Sequence, residues 1–295
     1  MPNVPPPRHD DGLVEDLSTL WSRRRALGLG FTVSAAAVLT ACAPASERAS
    51  SSSSPSTPTA ASSSAPASTS ASASSSASTS ALADCGAEIP QETAGPYPAD
   101  GTNGPDVLEQ SGIVRRDITT SFGTASGSVD GVQLTVQLTL LDISSGQCLP
   151  LRGAAVYLWH CDPQGNYSLY SSGFEEENWL RGVQAADANG RVEFTTVFPG
   201  AYPGRYPHIH FEVFRALDQI DDAGRVIAVS QLALPADACA EVYAQSGYGS
   251  SAGNLERTPL TRDNVFGDDG GIHQLGTVSG SVDQGYTVGL NVSVA

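Results

Sequence analysis

The chain contains no lysine; its 15 basic residues are all arginine and stand against 31 acidic ones, for a formal charge of −16. A groove that tracks a nucleic-acid backbone needs a basic surface, so nucleic acid is excluded as a partner. The same balance removes an electrostatic grip on anionic lipid. No Cys-x-x-Cys occurs among the five cysteines, which argues against a thiolate zinc site. No glycine-rich phosphate loop stands between a strand and a helix, so a dinucleotide cofactor is not expected. Long apolar runs are also missing: the best, residues 22–42, is short and Ala-rich, a poor membrane span.

That run has a different reading. "SRRRALGLGFTVSAAAVLTAC" is a basic cluster, then an apolar stretch, then a cysteine, the three-part layout of an export signal. Its start resembles the twin-arginine class, and Leu39, Thr40, Ala41 and Cys42 resemble the lipobox of bacterial lipoproteins, where cleavage leaves the cysteine as a lipid-carrying N-terminus. Residues 1–41 are therefore expected to be an export signal. Cys42 is expected to supply the membrane contact, anchoring the protein to the outer face of the cell membrane. Residues 42–84 are rich in Ser, Ala and Pro and nearly free of large apolar side chains. Ordering them would cost entropy with no burial to offset it, so they read as a disordered tether. Residues 85–295 remain for one globular domain. With Cys42 assigned to lipid, Cys85, Cys148, Cys161 and Cys239 form an even set that permits two disulfides in an oxidising compartment. The connectivity stays open, with Cys148 and Cys161 the only pair close along the chain.

Beyond Cys85 the pattern is mostly strand. Residues 131–142, 153–162, 190–200, 206–214, 225–234 and 285–294 are β-rich runs, several alternating with period two, separated by Gly, Asp and Pro turns. Residues 235–247 read as a short helix. The fold class that follows is all-β, an antiparallel β-sandwich.

One stretch carries chemistry. In "YPGRYPHIHF", residues 202–211, His208 and His210 share a face of a strand while Ile209 and Phe211 take the other. Tyr167, after a Gly-containing turn, and Tyr202, six residues before His208, supply phenol oxygens. Two hard phenolates with two neutral imidazoles suit a ferric ion better than a soft or divalent one. Such binding would pull each phenol far below its solution pKa of about 10.

The ordered succession of Gly-x-Tyr, Pro-Gly-x-Tyr, Arg-x-x-His-x-His and a following Gln-Leu resembles the intradiol ring-cleavage dioxygenases, particularly exported bacterial members. The resemblance runs through residues 91–101, 146–168, 179–211 and 229–234. It implies Fe(3+) held by Tyr167, Tyr202, His208 and His210, with Arg205 and Gln231 in the pocket and Tyr202 leaving the metal as a diol arrives. The implied reaction joins a small aromatic diol to dioxygen and gives a cis,cis-muconate type product. Two departures matter. Only Pro203 and Gly204 separate Tyr202 from Arg205, where better-studied members carry a longer insertion, and the acidic residues Glu175, Glu176 and Glu177 fall in a segment that shapes the pocket elsewhere. Substrate preference therefore does not carry over, although the net charge favours neutral diols.

Other residues have quieter readings. His160 is expected to be structural, with its ring hydrogen-bonded, and it is the only volunteer as a third histidine if the metal were copper. His273 is expected to face solvent. Tyr97 resembles a segment near the pocket mouth. A secreted β-sandwich binding module that has lost turnover is the alternative outside enzymology.

Overall fold

The computed structural model describes residues 85–295. The expected export signal, lipidated Cys42 and tether lie outside them. In chain order the elements are β1 (Gln133–Asp142), β2 (Leu149–Pro150), β3 (Ala155–Trp159), β4 (Arg181–Ala185), β5 (Arg191–Val197), β6 (His208–Phe214), β7 (Val226–Ala233), α1 (Ala236–Tyr243), α2 (Ser251–Arg257), β8 (Thr277–Ser281) and β9 (Gly285–Val294). One sheet runs β2-β1-β9-β8 with β5 also paired to β1; the other runs β4-β3-β6-β7.

The main core lies between the sheets because each strand turns alternate side chains inward. Leu134, Val136, Leu138 and Leu140 of β1 and Val192 and Phe194 of β5 share a cluster with Val156 and Leu158 of β3, Ile209, Phe211 and Val213 of β6, and Leu232 of β7. Burial of each such side chain is worth about 1.5–3 kcal/mol. A second cluster covers the outer face of the smaller sheet, where Ala155, Tyr157, Trp159 and Phe214 meet Val107, Leu108, Ile113 and Tyr167. Strand β6 is therefore buried on both faces. Its odd residues fill the sandwich, and its even ones, His208 and His210 among them, point into the covered outer layer.

Three features differ from the sequence reading. Strands β1 and β9 pair in parallel, so the pairings between these strands are antiparallel except at that central contact. Cys85 pairs with Cys148, while Cys161 and Cys239 are buried free thiols. Proximity along the chain was a poor guide, because Cys148 precedes the short strand β2 while Cys161 follows β3 on the other sheet. His273 is half-buried rather than solvent-facing. The helix expected within 235–247 is α1, starting behind Pro235 with Ala238, Cys239, Val242 and Tyr243 buried. No helix among the described residues is long and apolar enough to cross a membrane.

Candidate metal centre

The turn after β3 is built by Asp162, whose Oδ1 accepts the N–H groups of Gln164 and Asn166, both at 2.8 Å. Gly165 sits in that turn at φ +91°, a conformation that disfavours a side chain. A Cβ there would also lie 3.0 Å from Cβ of Tyr202. Gly200 makes the reciprocal approach: a Cβ on it would collide with the Pro163 carbonyl. The glycines of the two Gly-containing motifs thus let the Tyr167 turn and the Tyr202 segment pack backbone against backbone. The latter segment is fixed from behind by α2, where Ser251 Oγ accepts the Ala201 N–H at 3.0 Å and Asn254 Nδ2 donates to the Ala201 carbonyl at 2.7 Å.

The four expected donors meet as a result. Tyr167 Oη is 3.5 Å from Tyr202 Oη, Tyr202 Oη is 3.1 Å from His208 Nε2, and His208 Nε2 is 3.1 Å from His210 Nε2. His208 Nδ1 lies 2.5 Å from the Tyr206 carbonyl, which can only accept, so Nδ1 carries the proton and Nε2 presents a lone pair. Trp159 stacks flat on the His210 ring at 5.0 Å, and Trp159 and Gln231 are the cross-strand neighbours of His210 on either side. Burial first, then nearby cations, holds both imidazoles well below the usual histidine pKa, so both are neutral. Burial and the Tyr202 phenol push Tyr167 well above its ordinary value. Without a cation its phenol stays protonated.

This donor set fits a hard cation. His208 Nε2 is a fixed lone pair, and His210 Nε2, 3.1 Å away, is able to ligate beside it when the His210 proton sits on Nδ1. Among the described residues no group of three or more His, Cys, Asp or Glu is placed to hold a metal, so binding here depends on the tyrosines. His160 adds nothing to the set: Nδ1 donates to the Cys161 carbonyl and Nε2 meets Thr196 Oγ1, both at 2.8 Å. That leaves the copper reading without its third histidine.

A family model described as "Dioxygenase" matches residues 102–221, a span that holds both tyrosines, both histidines and Arg205. An intradiol ring-cleavage dioxygenase from Tetranychus urticae superposes with a TM-score of 0.55 at 26% identity, covering 70% of this chain and 94% of that one. The chain is thus similar to the intradiol ring-cleavage dioxygenases. The dioxygenase domain of a carbohydrate-binding fusion protein from Streptomyces sp. SirexAA-E is also similar, at 24% identity and TM-score 0.45, over 70% of this chain and 97% of that one. So is catechol 1,2-dioxygenase from Pseudomonas arvilla C-1, at 21% identity and TM-score 0.41, over 65% and 60% respectively.

Further buried side chains are assembled around these donors. Arg205 Nη1 lies 3.5 Å from His208 Nε2, and Arg205 Nη2 donates to Gln231 Oε1 at 2.6 Å. Tyr97 is half-buried and packs on Tyr167 and Tyr170, with ring centroids 5.1 and 5.0 Å apart. The acidic stretch serves the scaffold: Glu177 Oε2 accepts from Ser121 Oγ at 2.6 Å and from the Gly127 N–H at 2.7 Å, while Glu175 and Glu176 are exposed. Two residues were not singled out from the sequence. Asp263 pairs with Arg205, with 3.0 Å between Nε and Oδ2. Arg181, buried in β4, donates to the Pro98 and Ser168 carbonyls, both at 3.0 Å, tying the Tyr97 loop to the Tyr167 turn. Arg181 stood inside the recognised "WLRG"; Asp263 had no local signal.

Proposed function

We propose that the chain binds iron(III) through Tyr167, Tyr202, His208 and His210 and cleaves catechol or a substituted catechol with dioxygen, between the two hydroxylated carbons. The observation that carries this reading is the convergence of two phenol oxygens and two neutral imidazole nitrogens in one buried place. Both oxygen atoms of dioxygen enter the cis,cis-muconate type product, so the balance needs no external reductant.

Iron(III) in this set would supply Lewis acidity and a fixed centre for orienting the diol. The chain's own residues do the rest. Tyr167 is almost fully buried and Tyr202 only half-buried, so Tyr202 is the phenol able to move. As the phenolate that a bound cation would make of it, Tyr202 Oη would be placed to take a proton from an incoming hydroxyl. Arg205 turns Nη1 toward the same point and steadies anionic character on the ring. Tyr97 packs at a tilt against Tyr167, with Tyr170 against its own ring, and shields that side from water. The proposed setting, at the outer face of a membrane through Cys42, rests on the sequence alone.

Iron analysis, the visible spectrum and oxygen uptake on a panel of catechols test this together. The parent should carry stoichiometric iron, show a tyrosinate charge-transfer band, and couple oxygen uptake to muconate absorbance. His208→Ala should lose most of its iron, and Tyr202→Phe should weaken the band. Full iron and unchanged colour in His208→Ala would refute the ligand set. Stoichiometric iron without oxygen uptake on any catechol would favour a binding module.

A further inference from the structure

Resting on the reading of a diol site, we propose that Asp263 is the positioning residue that both orients Arg205 and offsets its charge, closing the site to diols that carry an additional carboxylate. Two of the three guanidinium nitrogens of Arg205 are directed away from the donors. Nε donates to Asp263 Oδ2 at 3.0 Å, and Nη2 reaches Asp263 Oδ1 at 3.4 Å and Gln231 Oε1 at 2.6 Å. Only Nη1 is turned toward His208. Gln231 holds its orientation by donating Nε2 to the Thr93 carbonyl at 2.9 Å. Asp263 is held in turn by the N–H groups of Tyr206, Val265 and Phe266 at 2.6, 2.9 and 3.2 Å. Its chain segment is thereby pinned under the site.

Burial decides the electrostatic consequence. The two side chains are 2% and 0% exposed, so water does little to screen one from the other, and Asp263 offsets much of the Arg205 charge felt at the site. Other charges nearby do not restore a net cation. Glu92 is partly buried within electrostatic reach of Arg205, with Asp268 and Asp269 also acting on it. Arg181, the second buried arginine, directs its N–H groups to Pro98, Ser168 and Tyr157, and Glu212 is buried opposite Tyr157 across β3 and β6. Among the described residues, a catechol ring carboxylate would meet Arg205 already paired with Asp263 and Arg181 already engaged by Pro98, Ser168 and Tyr157. Its desolvation would go uncompensated.

The test compares catechol with 3,4-dihydroxybenzoate, binding each under nitrogen to the iron-loaded full chain and following the visible spectrum. In the parent, catechol should bind more tightly. Asp263→Asn should shift the affinity ratio toward dihydroxybenzoate by on the order of tenfold or more, the effect of one uncancelled charge at short range. That gain should shrink as salt is raised. The double variant Arg205→Gln with Asp263→Asn removes both charges together, which buried pairs tolerate better than loss of one member. Its ratio should stay within about threefold of the parent's, because a neutral pair has been replaced by neutral groups. The inference is overturned if the parent prefers dihydroxybenzoate, if folded Asp263→Asn leaves the ratio unchanged, or if the double variant selectively loses dihydroxybenzoate. If Asp263→Asn does not fold, the double variant decides alone. A parent that binds neither diol would refute the diol site itself, and this inference with it.

Discussion

Changing Gly165 to Ala probes whether the two tyrosine turns must approach as closely as they do. Gly165 is at φ +91°, so any side chain there carries backbone strain of about 1–3 kcal/mol. Its new Cβ would also sit 3.0 Å from Cβ of Tyr202, with the Tyr202 Cα at 3.8 Å, so Tyr202 has to give by a few tenths of an ångström. That overpacking adds about 1 kcal/mol. The sum of about 2–4 kcal/mol corresponds to a fall in Tm of about 4–16 °C for a domain of this size. Gly153 is the control, because it too has a positive φ, +75°, but a Cβ there meets nothing within 4 Å. Gly153→Ala should lower Tm through the backbone alone and leave the iron-loaded spectrum untouched. Gly165→Ala should lower Tm further and shift or weaken the tyrosinate band, since the displaced ring carries a donor. Scanning calorimetry and visible spectra of both variants suffice. A Gly165→Ala protein with parental Tm and band, or a Gly153→Ala protein whose band changes equally, would refute the close-approach argument.

Removing the Cys85–Cys148 link by Cys148→Ser opens a closure of 63 residues; the chain-entropy model puts the loss near 4 kcal/mol, or a Tm drop of about 8–16 °C. Reductant should produce the same drop in the parent and none in the variant, and a loss below about 1 kcal/mol would contradict the pairing as a structural constraint. His160 is buried, and desolvation lowers its pKa from 6.5 to about 4. Between those values the unfolded chain binds the additional proton, so the contribution of His160 is complete above pH 6.5 and is lost as pH falls through about 4. Glu92, raised to about 7 by burial, opposes this trend in the whole protein. The measurement is therefore the stability difference between parent and His160→Gln, which should shrink by up to about 3 kcal/mol over that range; a flat difference would count against a neutral buried ring. Cys42→Ser should release the protein from membranes, and a variant that fractionates with membranes as fully as the parent would remove the lipid anchor.

What the sequence made legible was local. Alternation in residues 208–211 was enough to put both histidines on one face, because a strand repeats every two residues whatever it pairs with. The Gly-x-Tyr and Pro-Gly-x-Tyr motifs were legible for a related reason. Gly165 and Gly200 lie where two backbones cross, and a backbone crossing leaves a mark at the residue itself: no Cβ fits. What stayed hidden were the distant partners that no motif marks. The parallel pairing of β1 with β9 joins the first and last strands, and nothing in either run distinguishes it from an antiparallel contact. The Cys85–Cys148 link is set by which chain ends the sheet brings together, and spacing pointed to Cys161 instead. Asp263 is the sharpest case. Its carboxylate meets Arg205 across 58 residues, from a segment with neither strand nor helix periodicity, and "TRDNVF" reads like any polar loop. The chemistry of a site is thus split between two kinds of residue. Atoms that must touch the reacting centre are grouped by short motifs, because a strand and two turns can deliver them together. The charge that decides which ligands those atoms accept comes from a loop whose only requirement is to carry one carboxylate to one buried place, and no periodic pattern records that requirement.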